Sequence, residues 1–121
     1  MSTTYLILLP TDENGLAEMT EEQGTALRAA HGQFAQTLGE RGHTMVGGAQ
    51  LAPSRDARTV RPAPDGPVIS EGPFAETTEQ LTGYYVVESD DLDDLLDVSG
   101  ILASVGHAIE VRACVGMGEG A

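Results

Sequence analysis

Two runs of the chain, Tyr5-Leu6-Ile7-Leu8-Leu9 and Tyr84-Tyr85-Val86-Val87, are continuously apolar and rich in β-favouring residues. A strand with one wet face alternates apolar and polar side chains, so an unbroken run predicts a strand covered on both faces, in the middle of a sheet. Two such strands need flanking partners. Near the C-terminal end, Ile109, Val111 and Ala113 alternate with Glu110 and Arg112, the pattern of a half-exposed edge strand. Thr44-Met45-Val46 supplies the other partner, and Gly47-Gly48 after it lets the backbone bend or approach another group closely.

The connections between these strands carry helix signals. Thr20 with Gln23 three residues later forms a capping box, and Leu27, Ala30, Phe34 and Leu38 then recur at helical spacing. Gly42 is placed to take the left-handed conformation past the end, so the pattern predicts a helix over residues 21–41. Residues 11–18, polar and containing Gly15, read as a loop. Ser89 or Asp90 can cap a second helix with Asp91, Asp93 and Asp94 in its first turn and Leu92, Leu95 and Leu96 on its inner face. Between the second and third principal strands, Arg58-Thr59-Val60-Arg61 and Val68-Ile69-Ser70 flank an Asp65-Gly66 turn and read as a hairpin, confined to an edge by Pro62 and Pro64.

Strand, helix, strand, inserted hairpin, strand, helix, strand is the order of an α+β, ferredoxin-like split βαβ domain, with the first and third principal strands in the middle of one antiparallel sheet. Two helices cover one face only. The other face must meet water or another sheet, and an isologous homodimer packed sheet to sheet, a dimeric α+β barrel, is the expected solution. At 121 residues the chain holds one core. Residues 1–115 are assigned to that domain and 116–121 to a frayed tail.

Composition narrows the function classes. There is no lysine, and 19 acidic residues face 6 arginines for a net charge of −13, which argues against nucleic acid as a partner because phosphate backbones require a basic stripe. Arg55, Arg58 and Arg61 are the only local concentration of positive charge. No run is long enough to span a bilayer, and the start of the chain lacks the basic and small-residue marks of a secretory signal, so a cytoplasmic protein is expected. Cys114 is the single cysteine, which rules out an internal disulfide or a thiolate metal cluster. His31, His43 and His107 form no close pair of metal-ligand spacing, and neither a metal nor any other cofactor is expected. His43 and His107 flank strands beside Gly42 and Gly106 and read as exposed end residues, and Cys114 as a small apolar filler.

Gly72-Pro73-Phe74-Ala75-Glu76-Thr77, followed by Glu79, Leu81 and Gly83-Tyr84-Tyr85, resembles the hallmark of the YCII-related family in the branch named for its Asp-Gly-Pro-Phe motif. Val46-Gly47-Gly48 and Ile109-Glu110-Val111-Arg112 extend the resemblance over nearly the whole chain. Glu71 stands where the motif has its aspartate. As structure, Pro73 and Phe74 read as a rigid corner with the aromatic in the core; as function, Glu71 and Phe74 stand at the mouth of a substrate pocket beside the sheet.

His31 lies four residues after Leu27 and three before Phe34, on the buried helix face, with Arg28 one turn earlier. A neutral core histidine is one reading. The resemblance implies another, because Arg28-Ala29-Ala30-His31 before Gly42 reproduces the family's helix-one Arg-x-x-His, whose histidine is its proposed catalytic residue. The family's partner aspartate near the end of the second helix is missing from Val98-Ser99-Gly100-Ile101-Leu102, and Asp97 is the nearest carboxylate.

The resemblance therefore implies a cofactor-free lyase or dehydratase acting on a small organic molecule. His31 would be general acid or base, Arg28 would hold an anionic oxygen, and Tyr84 or Tyr85 would donate to a developing oxyanion. It also implies an alternative, a non-catalytic small-molecule-binding or regulatory dimer linked to an extracytoplasmic-function sigma factor.

Overall fold

The structure, a computed structural model, describes residues 2–116. The principal sheet has four antiparallel strands in the order β2-β5-β1-β6: β1 (Thr3–Asp12), β2 (Thr44–Gln50), β5 (Glu79–Ser89) and β6 (Glu110–Ala113). The two continuously apolar runs are thus the two central strands, as their pattern predicts, in the ferredoxin-like arrangement. Three helices complete the layer: α1 (Glu13–Ala17), α2 (Glu21–Glu40) and α3 (Leu92–Ala103). The hairpin of β3 (Arg58–Arg61) and β4 (Val68–Glu71) forms a separate two-stranded sheet.

The register assigns the faces. Tyr5 pairs with Val87 and Ala113, and Ile7 with Tyr85 and Val111, so these residues share one face. That face packs against Phe34 and Leu38 of α2 and Leu95, Val98 and Leu102 of α3 to form the core. Leu6 opposite Val86 and Leu8 opposite Tyr84 point the other way.

Several local expectations are corrected. Strand β1 does not stop at Pro10; it passes through a register shift between Leu8 and Pro10 and continues to Asp12. Asp12 then caps α1 by accepting from the Asn14 amide at 2.9 Å, where the sequence reads as a loop. A polar five-residue helix has no periodicity to announce it. Helix α2 keeps its capping box, with reciprocal Thr20 and Gln23 bonds, and ends before Gly42 at φ 84°. Helix α3 is capped by Asp91, not by Ser89 or Asp90, and its inner face is Leu95, Val98, Ser99 and Leu102, while Leu92 and Leu96 are exposed. Beyond Gly116 the expected tail lies outside the described residues.

Candidate functional site

Helix α2 carries its apolar stripe through Leu27, Ala30, Phe34 and Leu38, and the same geometry turns His31 toward the sheet. There its Nδ1 lies 2.6 Å from the Tyr85 hydroxyl of β5. Tyr85 also packs against Phe34, with ring centroids 5.2 Å apart, so the phenol is set by the core. The imidazole borders a pocket of about 410 Å³ between α2, α1 and the open ends of β1, β2 and β5. Leu9, Leu16 and Leu27 form its apolar wall, and Arg28 and His31 face it from α2. Among its lining residues there is no carboxylate, although the chain has 19 acidic residues.

A second imidazole belongs to this pocket. His107 lines it, with its ring 6.4 Å from that of His31 in an edge-on arrangement. Its Nδ1 lies 3.2 Å from the Thr11 hydroxyl, and its Nε2 is buried with no hydrogen-bond partner among the described residues. The sequence reading of His107 as an exposed end residue is therefore corrected. The signal was weak: His107 has the parity of Ile109 and Val111, which pack on the core, but it lies before β6 begins at Glu110, where strand alternation does not hold. Burial lowers the pKa of His31 below the ordinary 6.5, with further repulsion from His107, and burial lowers that of His107 as well. Burial also raises the Tyr85 phenol above its usual 10.0. All three groups are therefore uncharged at neutral pH.

The other residues singled out in the sequence fall in different places. Arg28 lines the pocket at its exposed rim, its Nη2 3.3 Å from the Thr25 hydroxyl. Tyr84 contributes to the pocket wall, but strand alternation directs its side chain opposite to that of Tyr85, beside Leu8. The phenol that reaches His31 is that of Tyr85. Phe74 is neither in the core nor at this pocket: it is 77% exposed, lying under the Arg61 guanidinium at 5.0 Å. Arg61 also donates to the Phe74 carbonyl at 2.7 Å. Glu71 ends β4 opposite Arg58 and borders a separate polar hollow with Arg55 and Glu76. The Glu71-Gly72-Pro73-Phe74 corner closes the base of the hairpin instead, where Gly72 at φ 100° donates to the Ala57 carbonyl and accepts from the Thr59 hydroxyl.

The carboxylates of α3 do not reach His31. Asp97 pairs with Arg41 at 3.1 Å, and Asp94 pairs with Arg41 and with His43 Nε2, the latter at 2.7 Å. His43 is buried, not exposed, and its Nδ1 meets the Ser89 hydroxyl at 2.8 Å. This Ser89–His43–Asp94 chain ties the end of β5, the start of β2 and the start of α3. The hydrogen bond from His43, and beyond it the Arg41 guanidinium, hold the Asp94 carboxyl below its usual 3.8. Ser89 and His43 are both buried, so their pair acts as a structural tie, while Asp94 reaches the surface beside Arg41.

Residues 3–101 match the family model of the YCII-related domain. The chain belongs to the YCII-related family. A 56-residue stretch is 39% identical to an uncharacterized protein of Rhizobium meliloti (strain 1021), covering 46% of this chain and 45% of that protein. The match thus spans about half of that relative's length. The part matching the YCII model contains β1, α2, β2, the hairpin, β5 and most of α3, and so His31 and Tyr85, but it ends before His107. Among the described residues no helix is long and apolar enough to cross a membrane, and no group of three histidine, cysteine or acidic side chains is placed to hold a metal ion.

Proposed function

We propose that this YCII-related chain, of the Asp-Gly-Pro-Phe branch, is a cytoplasmic cofactor-free enzyme of the proton-transfer lyase type acting on a small organic molecule. The observation that carries this reading is the His31 imidazole, fixed through Nδ1 by Tyr85 at 2.6 Å and facing a carboxylate-free pocket large enough for a small ligand. A neutral imidazole in that setting exchanges protons near pH 7. Arg28 at the rim holds an anionic oxygen of the ligand. His31→Leu is expected to keep the fold and reduce turnover by about 10²-fold or more. Full activity in that variant, measured on a substrate found by screening small oxygenated acids for turnover, removes the assignment.

One observation favours a second reading, a non-catalytic binding or regulatory dimer with a sigma-factor link: the carboxylates near α3 are engaged by Arg41 and His43, leaving His31 with a phenol in place of an acid. Ligand binding that survives in wild type without any turnover supports it. In both readings the chain acts as a two-fold dimer through the sheet face bearing Leu6, Leu8 and Val86, and Val46, 51% exposed, adds to its apolar area. Light scattering is expected to give twice the chain mass at micromolar concentration; a monomer mass removes the dimer.

A further inference from the structure

The partners of His107 determine which of its nitrogens carries the proton. Three short contacts run in series: His107 Nδ1 to the Thr11 hydroxyl at 3.2 Å, Thr11 to the Thr82 hydroxyl at 3.1 Å, and Thr82 to the Leu9 carbonyl at 2.9 Å. A carbonyl only accepts, so the Thr82 proton lies on Leu9. Thr82 then has lone pairs alone to offer Thr11, and the Thr11 proton must point at Thr82. Thr11 in turn has lone pairs alone for His107, so Nδ1 must supply the third proton. Any other assignment sets two lone pairs against each other in one of the three contacts. The neutral His107 ring is therefore protonated at Nδ1, and its buried Nε2 carries an unpaired lone pair. A buried acceptor without a donor is unfavourable, so Nε2 of His107 is set to receive a hydrogen bond.

His31 is set the opposite way. Its Nδ1 meets the Tyr85 hydroxyl, which has no other partner among the described residues, and a phenol is the stronger proton donor of the two. Donation from Tyr85 to Nδ1 puts the imidazole proton on Nε2. The pocket thus contains one ring whose free nitrogen accepts and one whose free nitrogen donates, with the rings 6.4 Å apart.

We infer that His107 Nε2 is the proton-accepting atom of this pocket and His31 Nε2–H its hydrogen-bond donor, together selecting a small, largely apolar molecule with an acidic C–H or O–H beside an oxygen acceptor. The inference rests on the reading of the pocket as a proton-transfer site but moves the base from His31 to His107, outside the family-matched segment, and keeps His31 as the hydrogen-bond donor. In the step it describes, the ligand's C–H or O–H bond breaks as an N–H bond forms at His107 Nε2. The electron pair left behind is drawn onto the ligand oxygen held by His31, and return of the proton, to the same or another atom, restores His107. Neutral imidazole suits the donor role, because it stabilises a developing oxyanion without having to ionise. Nε2 of His107 is shielded from water in the unliganded chain, so binding must shift the side chains that cover it.

The test needs no known substrate. Long-range proton–nitrogen correlation spectra of the full chain at pH 7.5 are expected to show His107 as the Nδ1–H tautomer and His31 as the Nε2–H tautomer. Thr11→Val, which keeps the shape and breaks the relay, is expected to return His107 to the Nε2–H form common in free histidine. Phenol, which carries both a donor and an acceptor, is expected to perturb the His107 Nε2 resonance and to bind at least about tenfold more tightly than anisole, which lacks the donor. His107→Phe is expected to abolish that preference. An Nε2–H tautomer at His107 in wild type overturns the inference, as does absent or equal binding of phenol and anisole. Full turnover in His31→Leu overturns both the function assigned above and the donor role of His31, whereas an Nε2–H tautomer at His107 overturns this inference alone.

Discussion

His43 and His31 are each held by a neighbouring hydroxyl, Ser89 at 2.8 Å and Tyr85 at 2.6 Å, yet they sit in opposite chemical settings. His43 is buried and its second nitrogen is bound to Asp94, so both ring positions are used and the ring joins three elements. His31 borders the pocket, has no carboxylate partner, and shares the space with a second imidazole. The difference teaches where chemistry is available. A histidine with both nitrogens satisfied by protein contributes to the fold, and one with a nitrogen left for the pocket is free to act on a ligand.

The same substitution at both positions tests this most sharply. His43→Leu removes a partner of the buried Ser89 hydroxyl and of the part-exposed Asp94 carboxylate, which keeps Arg41, and is expected to cost about 1–3 kcal/mol, seen as a lower urea midpoint at unchanged slope. His31→Leu keeps the volume and leaves the Tyr85 hydroxyl to water at the open pocket, and is expected to change stability by no more than about 1 kcal/mol. Equal losses at the two positions would erase the distinction.

Acid separates the two sites by pH window. Folded His31 and His107 have pKa values below 6.5, so as pH falls the unfolded chain takes up protons first. Their contribution to stability is complete above pH 6.5 and is lost as the pH falls below that value. Asp94, held below 3.8, adds stability that is present above 3.8 and is lost as pH drops through its lower folded value. Unfolding followed from pH 8 to 2 is expected to show a first decline shallower in His31→Leu and a second, to which Glu13 also contributes, shallower in Asp94→Asn. A single decline unaffected by either variant would contradict the assignment.

The smallest effect is expected at Asp97. Its side chain is 72% exposed and faces Arg41, where an ion pair is screened and weak. Asp97→Asn should leave the unfolding midpoint and the His31 resonances unchanged. Movement of the His31 signals would restore Asp97 as its partner.

Much of the architecture was legible locally. Continuous apolar runs mark central strands, alternation marks the edge strand, and the Thr20–Gln23 box marks a helix start, each rule acting within a few residues. Family membership was also readable, from Gly72-Pro73-Phe74 and the residues that accompany it. The site was only half legible. The period of α2 placed His31 on an inward face, whereas His107 lies in the connection before β6, which no periodicity governs. Which group each imidazole meets depended on strand register, because Tyr85 lies 54 residues from His31 and Thr11 lies 96 from His107. The bulge between Leu8 and Pro10 carries β1 on to Thr11, and Gly106 at φ 94° precedes His107 where the chain returns to the sheet. Phe74 was misread for the same reason, since a large apolar residue signals a core only where a second layer exists, and the hairpin has none. The sequence by itself determined the layers, the order of the strands and the inward helix face that carries His31. Tertiary structure alone decided which histidine is sealed by a carboxylate and which two share a pocket, because hydrogen-bond partnership is a property of distances that packing and register set together.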